Sequence, residues 1–153
     1  GRDRVTAAKN IRIELARAFP GVKFSVKGRS FSGGDDINVS WTDGPTSKQV
    51  DVIIDKYSAG TFDGMTDSYN YSHSAWIEAF GDAKYIMGNR HYSDALVARA
   101  IEEIKTKYGD AEAPTPEQYN NGQANGSPLG NAEGSNHWNW QSLINRTAQE
   151  IAA

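Results

Sequence analysis

The 153-residue chain contains no cysteine, which excludes disulfides, thiolate catalysis and zinc sites built on sulfur. No apolar run approaches the ~20 residues that span a bilayer, and the first residues lack the apolar core of a signal peptide. Neither a membrane partner nor export is expected, and a cytoplasmic location fits best. Catalytic signatures are also missing: there is no glycine-rich phosphate loop, no zinc-binding His pair on a helix and no serine elbow. No cofactor and no metal are therefore expected, and an enzyme is the less favoured reading. The 38% apolar and 23% charged content is ordinary for a globular chain with one sizeable core.

Net charge is only -3, too acidic for a protein coated in phosphate-binding groups, but the charge is lopsided. Residues 1–30 hold eight basic side chains, including Lys9, Arg12, Lys23, Lys27 and Arg29, against Asp3 and Glu14. The remaining 123 residues hold eight basic and seventeen acidic groups. This basic start reads either as an electrostatic footprint for nucleic acid or as solvated faces balanced in space by the acidic remainder.

Along the chain, Ala8, Ile11, Leu15, Ala18 and Phe19 recur at helical spacing, and Pro20-Gly21 stops the helix. Val22, Phe24 and Val26 alternate with Lys23, Ser25 and Lys27, and Ile37–Trp41 repeats the alternation. Both are strands with one buried and one wet face, joined by a longish hairpin loop over Ser32-Gly33-Gly34-Asp35-Asp36. Thr42-Asp43-Gly44-Pro45 is turn chemistry. Thr46 and Gln49 then form a capping box, so a helix begins at Ser47, buries Val50, Ile53, Ile54 and Tyr57, and ends at Gly60. Tyr69 and Tyr71 suggest a short strand, and 83–88 reads as another. Ser93 caps a final helix that buries Leu96, Val97, Ala100, Ile101, Ile104 and Tyr108 and closes at Gly109.

The expected fold class is α+β, in the order α-β-β-α-(β)-β-α, with a small sheet, an antiparallel hairpin and helices mainly on one face. Three segments are expected: an α+β domain over 1–109, a flexible linker over 110–136, where apolar groups are too few to offset ordering entropy, and an amphipathic helical segment over 137–153. That last segment carries Trp138, Trp140, Leu143, Ile144 and Ile151. It either docks back on the domain or binds a separate partner.

The run from Ala18 to Val26, the Trp-centred Ser40-Trp41-Thr42-Asp43-Gly44-Pro45-Thr46, and Phe62-Asp63-Gly64-Met65-Thr66-Asp67 together resemble one of the large polyvalent protein-associated domains of phage and conjugative-plasmid proteins. The match runs over about residues 6–108. The resemblance implies a mobile-element context in a bacterial host cell and an α+β fold. It carries no established activity and no site to transfer. It makes the expected function non-catalytic recognition, with a host protein or nucleic acid bound during establishment or counter-defence.

Candidate contacts for such a partner are Lys9, Arg12, Lys23, Lys27, Arg29, Trp138 and Trp140. Helix, strand, strand is also how small double-stranded RNA binders begin, an analogy of layout only. No ladder of exposed aromatics is visible, because Phe24 and Trp41 fall on core faces. Trp41 is expected as a core anchor whose indole N–H finds an acceptor at the turn. A hydrolase or nuclease would instead draw on the loop residues Asp43, Asp63, Asp67, His73 and His91, at least two of which must then converge in one pocket.

Overall fold

The computed structural model describes residues 2–58, 81–130 and 138–153, which fall into two compact units, Gly1–His91 and Tyr92–Ala153. The first unit opens with helix α1 (Arg2–Ala18). Ala7, Ala8, Ile11 and Leu15 form its buried stripe, as the three- and four-residue spacing requires. Strands β1 (Ser25–Phe31), β2 (Gly34–Thr42) and β3 (Tyr85–His91) build a sheet of order β1-β2-β3. β1 and β2 are antiparallel, whereas β2 and β3 are parallel. A parallel partner needs a crossover, and helix α2 (Ser47–Ile54) with the 3-10 turn Asp55–Tyr57 lies on that path.

The sheet is apolar on one side because β2 alternates. Ile37, Val39 and Trp41 are buried with Val26 of β1, and α1 and α2 cover them with Ile11, Leu15, Val50 and Ile54. Trp41 lies on Phe24, ring centroids 5.7 Å apart, and donates its indole N–H to the Pro45 carbonyl at 2.9 Å. Its six-membered ring runs across β3 at Gly88, where a Cβ would sit 3.4 Å from Cη2 and Cζ3. The capping box is present in both directions, Thr46 N–H to Gln49 Oε1 at 2.8 Å and Gln49 N–H to Thr46 Oγ1 at 3.3 Å.

Several boundaries differ from the sequence expectation. β1 starts at Ser25 rather than Val22 and continues to Phe31, so Lys23 precedes the strand. The hairpin turns on two residues, Ser32-Gly33, and the expected loop residues Gly34, Asp35 and Asp36 belong to β2. Acidic residues disfavour strands, but both carboxylates find partners across the sheet. Asp35 Oδ1 accepts the Lys84 N–H at 2.8 Å, and Asp36 Oδ2 accepts from Arg29 Nε at 2.9 Å. The strand expected over 83–88 runs instead over Tyr85–His91, with Ala83 making a bridge to Ser58. Gly60 and the strand expected at Tyr69 and Tyr71 lie outside the described residues.

The second unit contains α3 (Asp94–Tyr108), the short α4 (Pro116–Asn120) and α5 (Trp140–Gln149). Ser93 caps α3 through Leu96 N–H at 3.2 Å. Leu96, Val97, Ala100, Ile101 and Ile104 of α3 form one core with Trp140, Leu143, Ile144, Ala148 and Ile151. The division between units therefore falls after His91, not after Gly109.

Residues 110–130, expected as linker, are tied to α5 by backbone groups that an apolar count does not see. Trp140 N–H donates to the Gly126 carbonyl and Gln141 N–H to the Ala124 carbonyl, each at 2.8 Å. The Trp140 indole N–H reaches the Ala111 carbonyl at 2.8 Å. A second capping box, Thr115 with Gln118, starts α4. The terminal amphipathic segment packs through α5 on α3.

Candidate functional site

With Ile37, Val39 and Trp41 turned toward the helices, strand alternation sends every second residue to the other side of the sheet. Register then fixes the rows on this outer face. Lys27 stands opposite Asn38, which stands beside Met87. Arg29 stands opposite Asp36, which stands beside Tyr85. Ser25, Ser40 and Asn89 form the next row. Among the described residues no helix of the first unit covers these rows.

Chemically the face is mixed. Its Arg29 side chain is 75% exposed and bonded to the nearly buried Asp36 through Nε, which leaves the guanidinium's outer N–H groups to solvent. Lys27 has no carboxylate partner among the described residues, and with Asn38, Met87 and Asn89 it lines a concavity of about 380 Å³ over the sheet. Asn89 Nδ2 donates to Asn38 Oδ1, and Asn38 Nδ2 donates to Ser40 Oγ at 3.4 Å. Three large apolar side chains also stand on this wet side: Phe31, Tyr85 and Met87 are 43%, 49% and 50% exposed.

Phe31 and Tyr85 were not legible as a pair, yet their ring planes lie within 10° of each other with centroids 6.4 Å apart. Arg29 stands over the Phe31 ring at 5.6 Å and Lys84 over the Tyr85 ring at 5.5 Å. Phe24 and Trp41 face the core as expected, and the outer face carries instead this pair of rings, which the sequence reading did not include. Extending the period-two pattern of Ser25 and Lys27 through Arg29 to Phe31 is the signal that finds the first ring. The second needs the β2–β3 register, which no local pattern carries.

The other candidate residues do not share this surface. Lys9 and Arg12 belong to α1, on the opposite side of the sheet, and Arg12 Nη2 is bonded to the Val26 carbonyl at 2.6 Å. Arg4 lies against Gly28, where a Cβ would be 3.0 Å from its Nη1. The basic first helix and the basic strand therefore face different sides of the sheet, since α1 sets Arg4 and Arg12 against β1 from the core side and the strand turns Lys27 and Arg29 away.

Trp140 is fully buried in the second core. Trp138 is 38% exposed, set edge-on to Tyr108 at 5.6 Å with Arg146 over its ring at 5.5 Å. Of the residues an enzyme would use, Asp63, Asp67 and His73 lie outside the described residues. Asp43 and His91 are joined through the backbone, Asp43 N–H donating to the His91 carbonyl at 2.8 Å. Asp43 takes a left-handed φ of 54, as a turn-forming Asp before Gly44 does. No group of three His, Asp or Glu among the described residues is placed to hold a metal, and none of the described helices is long and apolar enough to cross a membrane.

The family model described as Large polyvalent protein associated domain 29 matches residues 3–93, which spans nearly the whole first unit. The chain belongs to this family, and is thus a module of the polyvalent proteins associated with phage and plasmids. No curated protein and no solved structure matches it.

Proposed function

We propose that this domain is a non-catalytic recognition module and that its ligand is nucleic acid, laid across the outer face of the β1-β2-β3 sheet. One observation carries the reading: the face combines cations that solvent reaches, Lys27 and Arg29, with three half-exposed apolar side chains, Phe31, Tyr85 and Met87. Contiguous apolar surface of this kind on a polar face marks interaction sites, and the adjacent cations suit a phosphate-bearing partner.

The test is a pull-down from bacterial lysate with the full chain, with and without nuclease, run beside a Lys27→Glu, Arg29→Glu variant. Nuclease-sensitive recovery of nucleic acid that the variant loses is the expected result. A host protein retained after nuclease treatment, and retained equally by the variant, would replace nucleic acid with a protein partner. Recovery of no partner in either sample would count against recognition altogether.

A further inference from the structure

We infer, resting on the reading above, that the nucleic acid is single-stranded, with unstacked bases on the Phe31–Tyr85 pair and phosphates beside Lys27 and Arg29. A base inside a duplex has its faces covered by its neighbours, so a protein ring reaches those faces only when the strand is open. Phe31 and Tyr85 project from the first and third strands at the same end of the sheet, opposite Gly34 and beside Asp36 respectively. Their near-parallel rings form a platform on which successive bases stack, an interaction tolerant of base identity because every base has a π-face.

Each ring already carries a cation, Arg29 on one and Lys84 on the other, so phosphates flanking a stacked base meet charge at the platform itself. One strand row farther along lies the concavity lined by Lys27, Asn38, Met87 and Asn89. Its volume falls within the range of small-molecule sites. The Asn89-to-Asn38-to-Ser40 chain of hydrogen bonds uses one amide proton on each Asn and leaves the others, with Asn89 Oδ1, for a base edge. A carboxamide offers donor and acceptor side by side, which is what an exposed Watson–Crick edge presents in complement.

Charge argues the same way. Around the platform Lys27, Arg29 and Lys84 are set against Asp35 and Asp36. That near-balance is too slight for a duplex held by phosphates alone, so stacking must carry much of the affinity. The salt dependence is correspondingly shallow: two neutralised phosphates on a single strand give a log–log slope of about −1.4.

The decisive experiment is fluorescence anisotropy of the full chain with labelled DNA and RNA strands of about 10 nucleotides, a typical site size, and with the matching duplexes. Single strands are expected to bind more tightly than either duplex. Phe31→Ala and Tyr85→Ala are each expected to weaken single-strand binding roughly 5- to 150-fold, and Phe31→Tyr, which keeps the ring, to restore it. Far-UV circular dichroism of each variant separates lost stacking from lost folding. Equal binding of duplex and single strand, or loss on Lys27→Glu with none on removing the rings, would overturn the single-strand inference while nucleic-acid binding stands. No binding to any of the oligonucleotides would remove both.

Discussion

Replacing Trp41 with Phe removes the hydrogen bond that joins the sheet to the turn before α2 and the ring packing that crosses β3. The indole N–H to Pro45 carbonyl bond of 2.9 Å is buried, and Phe leaves that carbonyl without its donor, at about 1–3 kcal/mol. The part of the ring that crosses Gly88 is also lost, and a residual cavity at ~24 cal/mol per Å³ adds about 1 kcal/mol. Together the loss is about 2–4 kcal/mol. Ile37 and Val39 flank the site on the central strand, so native-state hydrogen exchange at their amides reads the opening of the first unit directly. Exchange there is expected to accelerate roughly 30- to 900-fold. An acceleration below about 3-fold would refute the view that Trp41 anchors sheet to turn, because neither a buried acceptor without its donor nor a cavity costs so little.

Two further outcomes follow from the described contacts. Tyr57 donates its hydroxyl to Glu14, and burial, then the bond to Glu14 and its negative charge, hold the phenol well above its ordinary value near 10. A raised folded-state value means the contribution is fully present below the unfolded value and is lost as pH climbs past about 10. Stability measured by urea is therefore expected to fall more steeply above pH 10 in the native chain than in Tyr57→Phe; parallel curves would contradict it. In the second unit, Trp140→Phe forfeits the bond to the Ala111 carbonyl and opens space beside Leu143. Faster exchange at α3 and α5 amides by a similar factor is expected, and an unchanged rate would show that the 110–130 segment is not held through this indole.

The parts of the fold that local chemistry dictates were legible. The run from Trp41 to Gln49 was read residue by residue, because turn, capping box and indole acceptor lie within nine residues of one another. Strand ends were less so: Asp35 and Asp36 look like turn formers until Lys84 and Arg29 are brought beside them by pairing. The second unit was obscured for a different reason. Residues 110–130 are poor in apolar groups, yet they are held by a capping box and by carbonyls bonded to Trp140 and Gln141, which leave no hydrophobic period. The candidate site was half legible. Lys27 and Arg29 came from alternation alone, whereas Tyr85 joins Phe31 across 54 positions of sequence through a parallel register.

A ligand on the sheet's outer face is tested most directly by NMR titration of the full chain with a single-stranded oligonucleotide. Resonances of Lys27, Arg29, Phe31, Asn38, Tyr85 and Met87 are expected to move together and saturate at one affinity, while those of Lys9 and Arg12 on α1 stay in place. Movement confined to α1 or to the Trp138 indole, with the outer rows of the sheet unmoved, would contradict it.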